Sequence, residues 1–140
     1  MSAKRLLTIG YYDGSLGENQ KVLSLTGNNP PGDEALFNMG LIYAHPKYPK
    51  RNYRRSLDLF KRLLMDYPQS PLVLQASIWI GVLQVIEDSK QEIEKTKQDI
   101  EKSKQEIEKS KEEIEKAKQV IEKSKEVDIE IEQKKKELSK

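Results

Sequence analysis

One imidazole and no thiol set the limits of what this 140-residue chain can do chemically. Without cysteine there is no disulfide, thiolate nucleophile or thiolate metal site, and His45 alone supplies at most one imidazole ligand. Ser15, Ser56 and Ser70 share that single histidine as their only conceivable imidazole base, and all three read more simply as helix caps or small packing residues. Carboxylates are plentiful, but most fall in a repetitive charged stretch where they form solvated faces instead of a converging acid–base pair. Gly10, Gly14 and Gly17 follow no strand and lead into no Lys-Ser/Thr ending, so they do not read as a phosphate-cradling loop. The expectation is a protein that is not an enzyme and takes no cofactor or metal.

Recognition chemistry is left. Lys47, Lys50, Arg51, Arg54 and Arg55 cluster with Tyr48 and Tyr53 interleaved, a set able to meet phosphate, anionic lipid headgroups or an acidic protein surface. The plainer reading is a solvated loop and helix start, although positive charge at a helix N-terminus opposes its dipole. Over the whole chain, 25 Lys/Arg stand against 23 Asp/Glu for a net charge of +2, so nucleic acid is not the expected partner. No apolar run is long enough to span a membrane. The basic start Met1-Ser2-Ala3-Lys4-Arg5 precedes only a short, broken apolar stretch, unlike a signal peptide.

The elements that must position these residues divide into two halves. Residues 1–86 hold every Trp, Tyr, Phe and Pro with a net charge of +4, whereas residues 87–140 have no aromatic, Gly or Pro and a net charge of −2. No alternating β-branched run occurs, so the reading is all-α: a small helical bundle over residues 1–86, continued by one charged heptad-repeat helix over residues 87–140. The first half predicts a helix from Ala3 to Tyr12 broken at Asp13-Gly14. Ser15 and Glu18 have capping-box spacing for a second helix from Leu16 to about Leu25. Asp33 is the expected N-cap of a third helix ending at Ala44, and Asn52 that of a fourth ending near Asp66. Pro46, Pro49, Pro68 and Pro71 mark the turns between. A fifth helix opens near Ser70.

Leu36, Met39, Gly40 and Tyr43 keep the spacing W-x2-L-G-x2-Y, and Ser56, Phe60, Leu63 and Pro68 keep small-x3-F-x2-small-x4-P. In both respects the chain resembles the tetratricopeptide-repeat family, with Leu36 in place of the usual Trp, a larger Leu63 and a longer inter-helix loop. Ala76 to Gly81 repeats the A-x4-G frame of Ala35 to Gly40. The Tyr67-Pro68 to Ser70-Pro71 junction resembles tetratricopeptide proteins of bacterial envelopes. Together with the heptads and the Val127 to Lys136 ending, the chain is similar to QseG-type lipoproteins associated with a sensor kinase. The resemblance implies two-helix packing with Gly40 against Phe60, a protein-docking role, and a place in the bacterial periplasm or outer membrane through a lipid tether that this chain lacks.

In such repeats the ligand-facing groove would carry Phe37, Leu41, His45, Ile78, Val82 and Val85. These helices are apolar nearly all round, which calls for cover on both sides. Either the first helices fill the groove or a partner does; the filled groove is the favoured expectation.

The second half repeats a heptad from Gln91 to Lys125. With Ile86, Ile93, Ile100, Ile107, Ile114 and Ile121 at position a, the d line is Ser89, Thr96, Ser103, Ser110, Ala117 and Ser124, changing to Ile131 and Leu138. Position g is mostly acidic and e is Lys from Lys90 to Lys125. Upstream, Leu72 and Trp79 share the a line, which suggests an unbroken seam. Branched residues at a favour association, while small polar d residues weaken it. The alternative is a solitary helix held by pairs such as Glu94–Lys97 and Glu101–Lys104. If the helix self-associates, acidic g and basic e favour a parallel pair.

The leading expectation is a non-enzymatic interaction or scaffold protein, its bundle docking a partner and its helix acting as spacer or oligomerisation element. A structural subunit of a larger homo-oligomeric assembly, packed through the long helix, is the alternative. A binder of anionic lipid or nucleic acid through the Lys47–Arg55 cluster is the weaker third.

Overall fold

The computed structural model describes residues 1–139, and the described residues form helices and turns with no strand. The helices are α1 (Ala3–Thr8), α2 (Tyr12–Thr26), α3 (Gly32–Ala44), α4 (Tyr53–Asp66) and α5 (Val73–Leu138). Two compact units divide the chain, Met1–Glu92 and the residues from 93 on. The change in composition at residues 86/87 comes earlier than this division, because Ile86 and Glu87 still pack on the bundle.

In the first unit α1 packs on α2, α2 on α3, and α3 on α4. The amphipathic α4 buries Ser56, Leu57, Phe60 and Leu63 at helical spacing and leaves Arg54, Arg55, Lys61 and Arg62 in solvent. Asn52 caps it as expected, its Oδ1 accepting from the Arg55 amide at 3.0 Å. Phe60 is fully buried where α3 meets α4, and a Cβ built on Gly40 would lie 2.7 Å from the Phe60 ring. Only glycine allows that approach. Ser56 is small for the same reason, and its hydroxyl donates to the Gly40 carbonyl oxygen at 2.6 Å. From α5, Ala76 and Leu83 complete this core.

Three expected boundaries are corrected. The first helix stops at Thr8, and Gly10 turns the chain with φ +79°, a left-handed conformation glycine adopts at little cost. Asp13 and Gly14 lie inside the first turn of α2. Ser15 is therefore no cap: it is buried within α2, and its hydroxyl donates to the Ala3 carbonyl oxygen at 2.9 Å, tying α1 to α2. Its expected partner Glu18 instead pairs with Lys21 at 2.9 Å. Asp33 does not cap α3 either. It is buried in the first turn and accepts from the Ser70 hydroxyl at 2.5 Å, fastening α3 to the segment that leads into α5.

The second unit is the remainder of α5. Every described side chain in it is exposed. The isoleucines of the a line from Ile93 to Ile121 are 50–56% exposed, so no other described residue covers them.

Candidate functional site

The basic cluster is largely engaged by its own chain. Lys50 pairs with Asp13 at 3.5 Å and Arg54 with Asp58 at 3.7 Å. The Arg51 guanidinium lies 5.1 Å from the Tyr53 ring centroid, and that of Arg55 lies 4.9 Å from the Tyr43 ring. Lys47 is exposed beside them. These contacts explain why so much positive charge is tolerated at the start of α4: Asp58 one turn on and two aromatic faces offset the unfavourable dipole.

Beneath the cluster, Tyr12, Tyr43, His45 and Tyr48 form an aromatic group joining α2 to the α3–α4 loop. Tyr48 is buried, and its hydroxyl donates to Asp13 Oδ1 at 2.7 Å. That hydrogen bond, aided by the Lys50 charge, holds the Asp13 carboxyl below its ordinary value of 3.8. Burial, together with the neighbouring carboxylate, pushes the Tyr48 phenol up to about 12. The signs follow by linkage. The Asp13 contribution to stability is present above its unfolded pKa and is lost as pH falls through the depressed folded value. That of Tyr48 is present below about pH 10 and is lost as pH rises through about 12. Tyr48→Phe is expected to move the Asp13 titration up toward 3.8, read by carboxyl NMR, and to remove the alkaline loss of stability assigned to Tyr48. An unmoved Asp13 titration would rule out the hydrogen bond as its cause.

The residues assigned to the groove separate into two groups. Phe37 is buried, its ring 5.4 Å from that of Phe60 in an edge-on arrangement. Leu41 is half-buried against the core. His45 is half-buried with its ring 4.9 Å from Tyr12, and its Nδ1 accepts from the Lys47 amide at 3.1 Å. On α5 the outcome differs. Leu74, Ile78, Val82 and Val85 are 73%, 60%, 48% and 65% exposed, while Ala76 and Leu83 on the other side of the helix are buried. The α3 part of the face is thus filled and the α5 part is open. Comparison with family models, curated proteins and solved structures finds no match.

The a line of α5 behaves differently along its length. Leu72 and Ile86 pack against the bundle core, and Trp79 stacks on Phe60 with ring centroids 6.2 Å apart. From Ile93 the same line is open. The expected seam is therefore not unbroken; Ile86, read as an association residue, belongs to the bundle. Ile131 and Leu138 are exposed like the isoleucines before them.

Among the described residues, the polar groups form no second cluster. Glu34 pairs with Lys4 at 3.7 Å, and no group of three or more His, Asp or Glu side chains among the described residues could hold a metal ion. Glu87 is 91% buried, and one carboxylate oxygen has no hydrogen-bond partner among the described residues, a local cost to the fold. Among the described residues, no helix is long and apolar enough to cross a membrane. Sequence reasoning did not anticipate Leu74 in the open row or Asp13 beneath the basic cluster. Leu74 was signalled by its spacing of four from Ile78. Asp13 carried no signal, since its partner Tyr48 is distant in sequence.

Proposed function

We propose that this is a non-enzymatic interaction protein whose bundle docks a helix of a partner protein along the outer face of α5, and whose charged helix serves as spacer or oligomerisation element. The open row Leu74, Ile78, Val82 and Val85 carries this reading. Apolar side chains at i, i+4, i+8 and i+11 make one helical stripe, and here it lies opposite a stripe that is already core. Gly81 falls among these residues, and a Cβ built there meets nothing within 4 Å. The chain's own packing does not need a glycine at that position, although an exposed helix interior loses about 1 kcal/mol by having one. Close approach of another helix accounts for it.

The resemblance to tetratricopeptide repeats supports the same reading. In that arrangement each opening helix is covered by a closing one; α5 occupies an opening position, and it runs on as one helix to Leu138 instead of turning back within the bundle. A partner helix takes that place. The envelope location implied by the resemblance is part of the proposal. The lipid or nucleic-acid reading is weaker, because Lys50, Arg51, Arg54 and Arg55 already have partners in the chain.

A photo-crosslinking residue at Val82, compared in the native host with one at exposed Met65 on α4, tests the docking face. The expected result is a discrete heterologous adduct from Val82 alone. Adding Ile78→Asp should abolish it while changing unfolding free energy by no more than about 0.5 kcal/mol, since Ile78 is largely solvated. No adduct at Val82, or equal adducts from Val82 and Met65, would overturn the reading.

A further inference from the structure

We propose that residues 93–124 pair, parallel and in register, with a second copy of this chain. The inference rests on the oligomerisation role proposed for the helix and names the partner. A helix with no cover must find a partner for its apolar line or remain solitary. Ile93, Ile100, Ile107, Ile114 and Ile121 recur every seven residues, each 50–56% exposed. A strict seven-residue line drifts by about 20° per heptad around a straight helix of 3.6 residues per turn. Such a line presents one continuous surface only to a partner that winds with it.

The charges identify the partner. Glu92, Asp99, Glu106 and Glu113 occupy g, and Lys97, Lys104, Lys111 and Lys118 occupy e. In a parallel in-register pair, each g faces the e of the next heptad in the other copy. Glu92 then faces Lys97, Asp99 faces Lys104, Glu106 faces Lys111 and Glu113 faces Lys118, every pairing attractive and repeated by symmetry. An antiparallel pair opposes g with g and e with e, all repulsive. The sequence is complementary to itself in one orientation only.

The e-line lysines are also exposed. Among the described residues, Glu94–Lys97 and Glu101–Lys104, the spaced pairs that would hold a solitary helix, are not closed to ion-pair distance; the ion pairs within 4 Å lie in the first unit. The seam offered to a second chain begins at Ile93, because Trp79 and Ile86 upstream are committed to the bundle. The small d residues Thr96, Ser103, Ser110, Ala117 and Ser124 make this a weak, reversible association, and the apolar d residues return only at Ile131 and Leu138.

The chain has no native cysteine, so single-cysteine variants of the full chain report register directly. Ser103→Cys, Ser110→Cys and Ser124→Cys, each oxidised alone at about 100 μM, are expected to give self-crosslinked dimer. Gln105→Cys on the outer face should not, nor should a mixture of the 103 and 124 variants crosslink to each other. Crosslinking at only one d position means antiparallel pairing, and crosslinking at none, with monomer mass in sedimentation, means a solitary helix; either overturns the proposal. As a second measurement, Lys104→Glu with Lys111→Glu and Lys118→Glu should weaken self-association at least about ten-fold, given modest surface pair energies multiplied by symmetry. Mixing with a chain carrying Asp99→Lys, Glu106→Lys and Glu113→Lys should restore it. Failure of that rescue also overturns the proposal. None of these outcomes bears on the Val82 crosslink, which reads the first unit.

Discussion

Phe60→Ala is expected to lower the stability of the first unit by about 3–5 kcal/mol, the range for a large aromatic removed from a packed core. Phe60 is fully buried, its ring meets Phe37 edge-on at 5.4 Å, and it stacks on Trp79 at 6.2 Å with an interplanar angle of 8°. The ring therefore joins α3, α4 and the start of α5. Collapse into the vacated space is restricted on one side by the Gly40 backbone, which is held by the Ser56 hydroxyl. Without the ring, Trp79 loses one of the surfaces that keep α5 on the bundle. Thermal unfolding by near-ultraviolet dichroism, which the Tyr and Trp residues of the first unit dominate, should show the loss. Hydrogen exchange should accelerate through Met1–Glu92. Far-ultraviolet helicity from the residues beyond 92 should largely persist, since no core contact supports them. A melting temperature near that of the wild type would mean that Phe60 is not the residue holding these helices together.

How far these features could be read from sequence depends on the range of the interaction behind each. The Asn52 cap and the burial of one face of α4 are local, and both were legible. Gly40, Ser56 and Phe60 were legible as a spacing, because close approach of two helices requires a small residue opposite a large one. The first turn was misplaced for a physical reason: Asp13-Gly14 and Ile9-Gly10 are both competent breakers, and the observed turn goes with the part-buried hydrogen bond from Ser15 to the Ala3 carbonyl. Local rules contain no such term.

The same limit applies to the apolar surfaces. Phe37 and Ile78 are both large and apolar, and each was assigned to one groove. Phe37 lies against Phe60, whereas Ile78 has no neighbouring element to cover it. Heptad letters likewise placed Trp79, Ile86 and Ile93 on one line, but they cannot record that α4 occupies the first part of it. Fold class needed only helical periodicity and was read correctly as all-α. Which apolar faces stay open is a property of the assembled bundle.

Ser103→Leu combined with Ser110→Leu is expected to have the largest effect on association. Both positions are exposed and lie on the d line between exposed isoleucines of the a line, so neither substitution disturbs a packed core. In a parallel pair the two substitutions place Leu at d in both copies, one on each side of the Ile107 layer. Branched Ile at a with Leu at d is the combination that favours two-stranded coiled coils. Fully burying a leucine side chain contributes about 1.5–3 kcal/mol, so the added leucines of a pair strengthen association by at least about a thousand-fold even when burial is incomplete. Sedimentation equilibrium should show a dimer persisting to concentrations at which the wild-type chain has dissociated, and the transition of the charged helix should become steeper and concentration-dependent. The melting of the first unit should not change, since its core lies before residue 92. A variant that remains monomeric at high concentration would show that the isoleucine line does not face a second chain. A larger assembly in place of a dimer would keep the shared seam but change the number of strands around it.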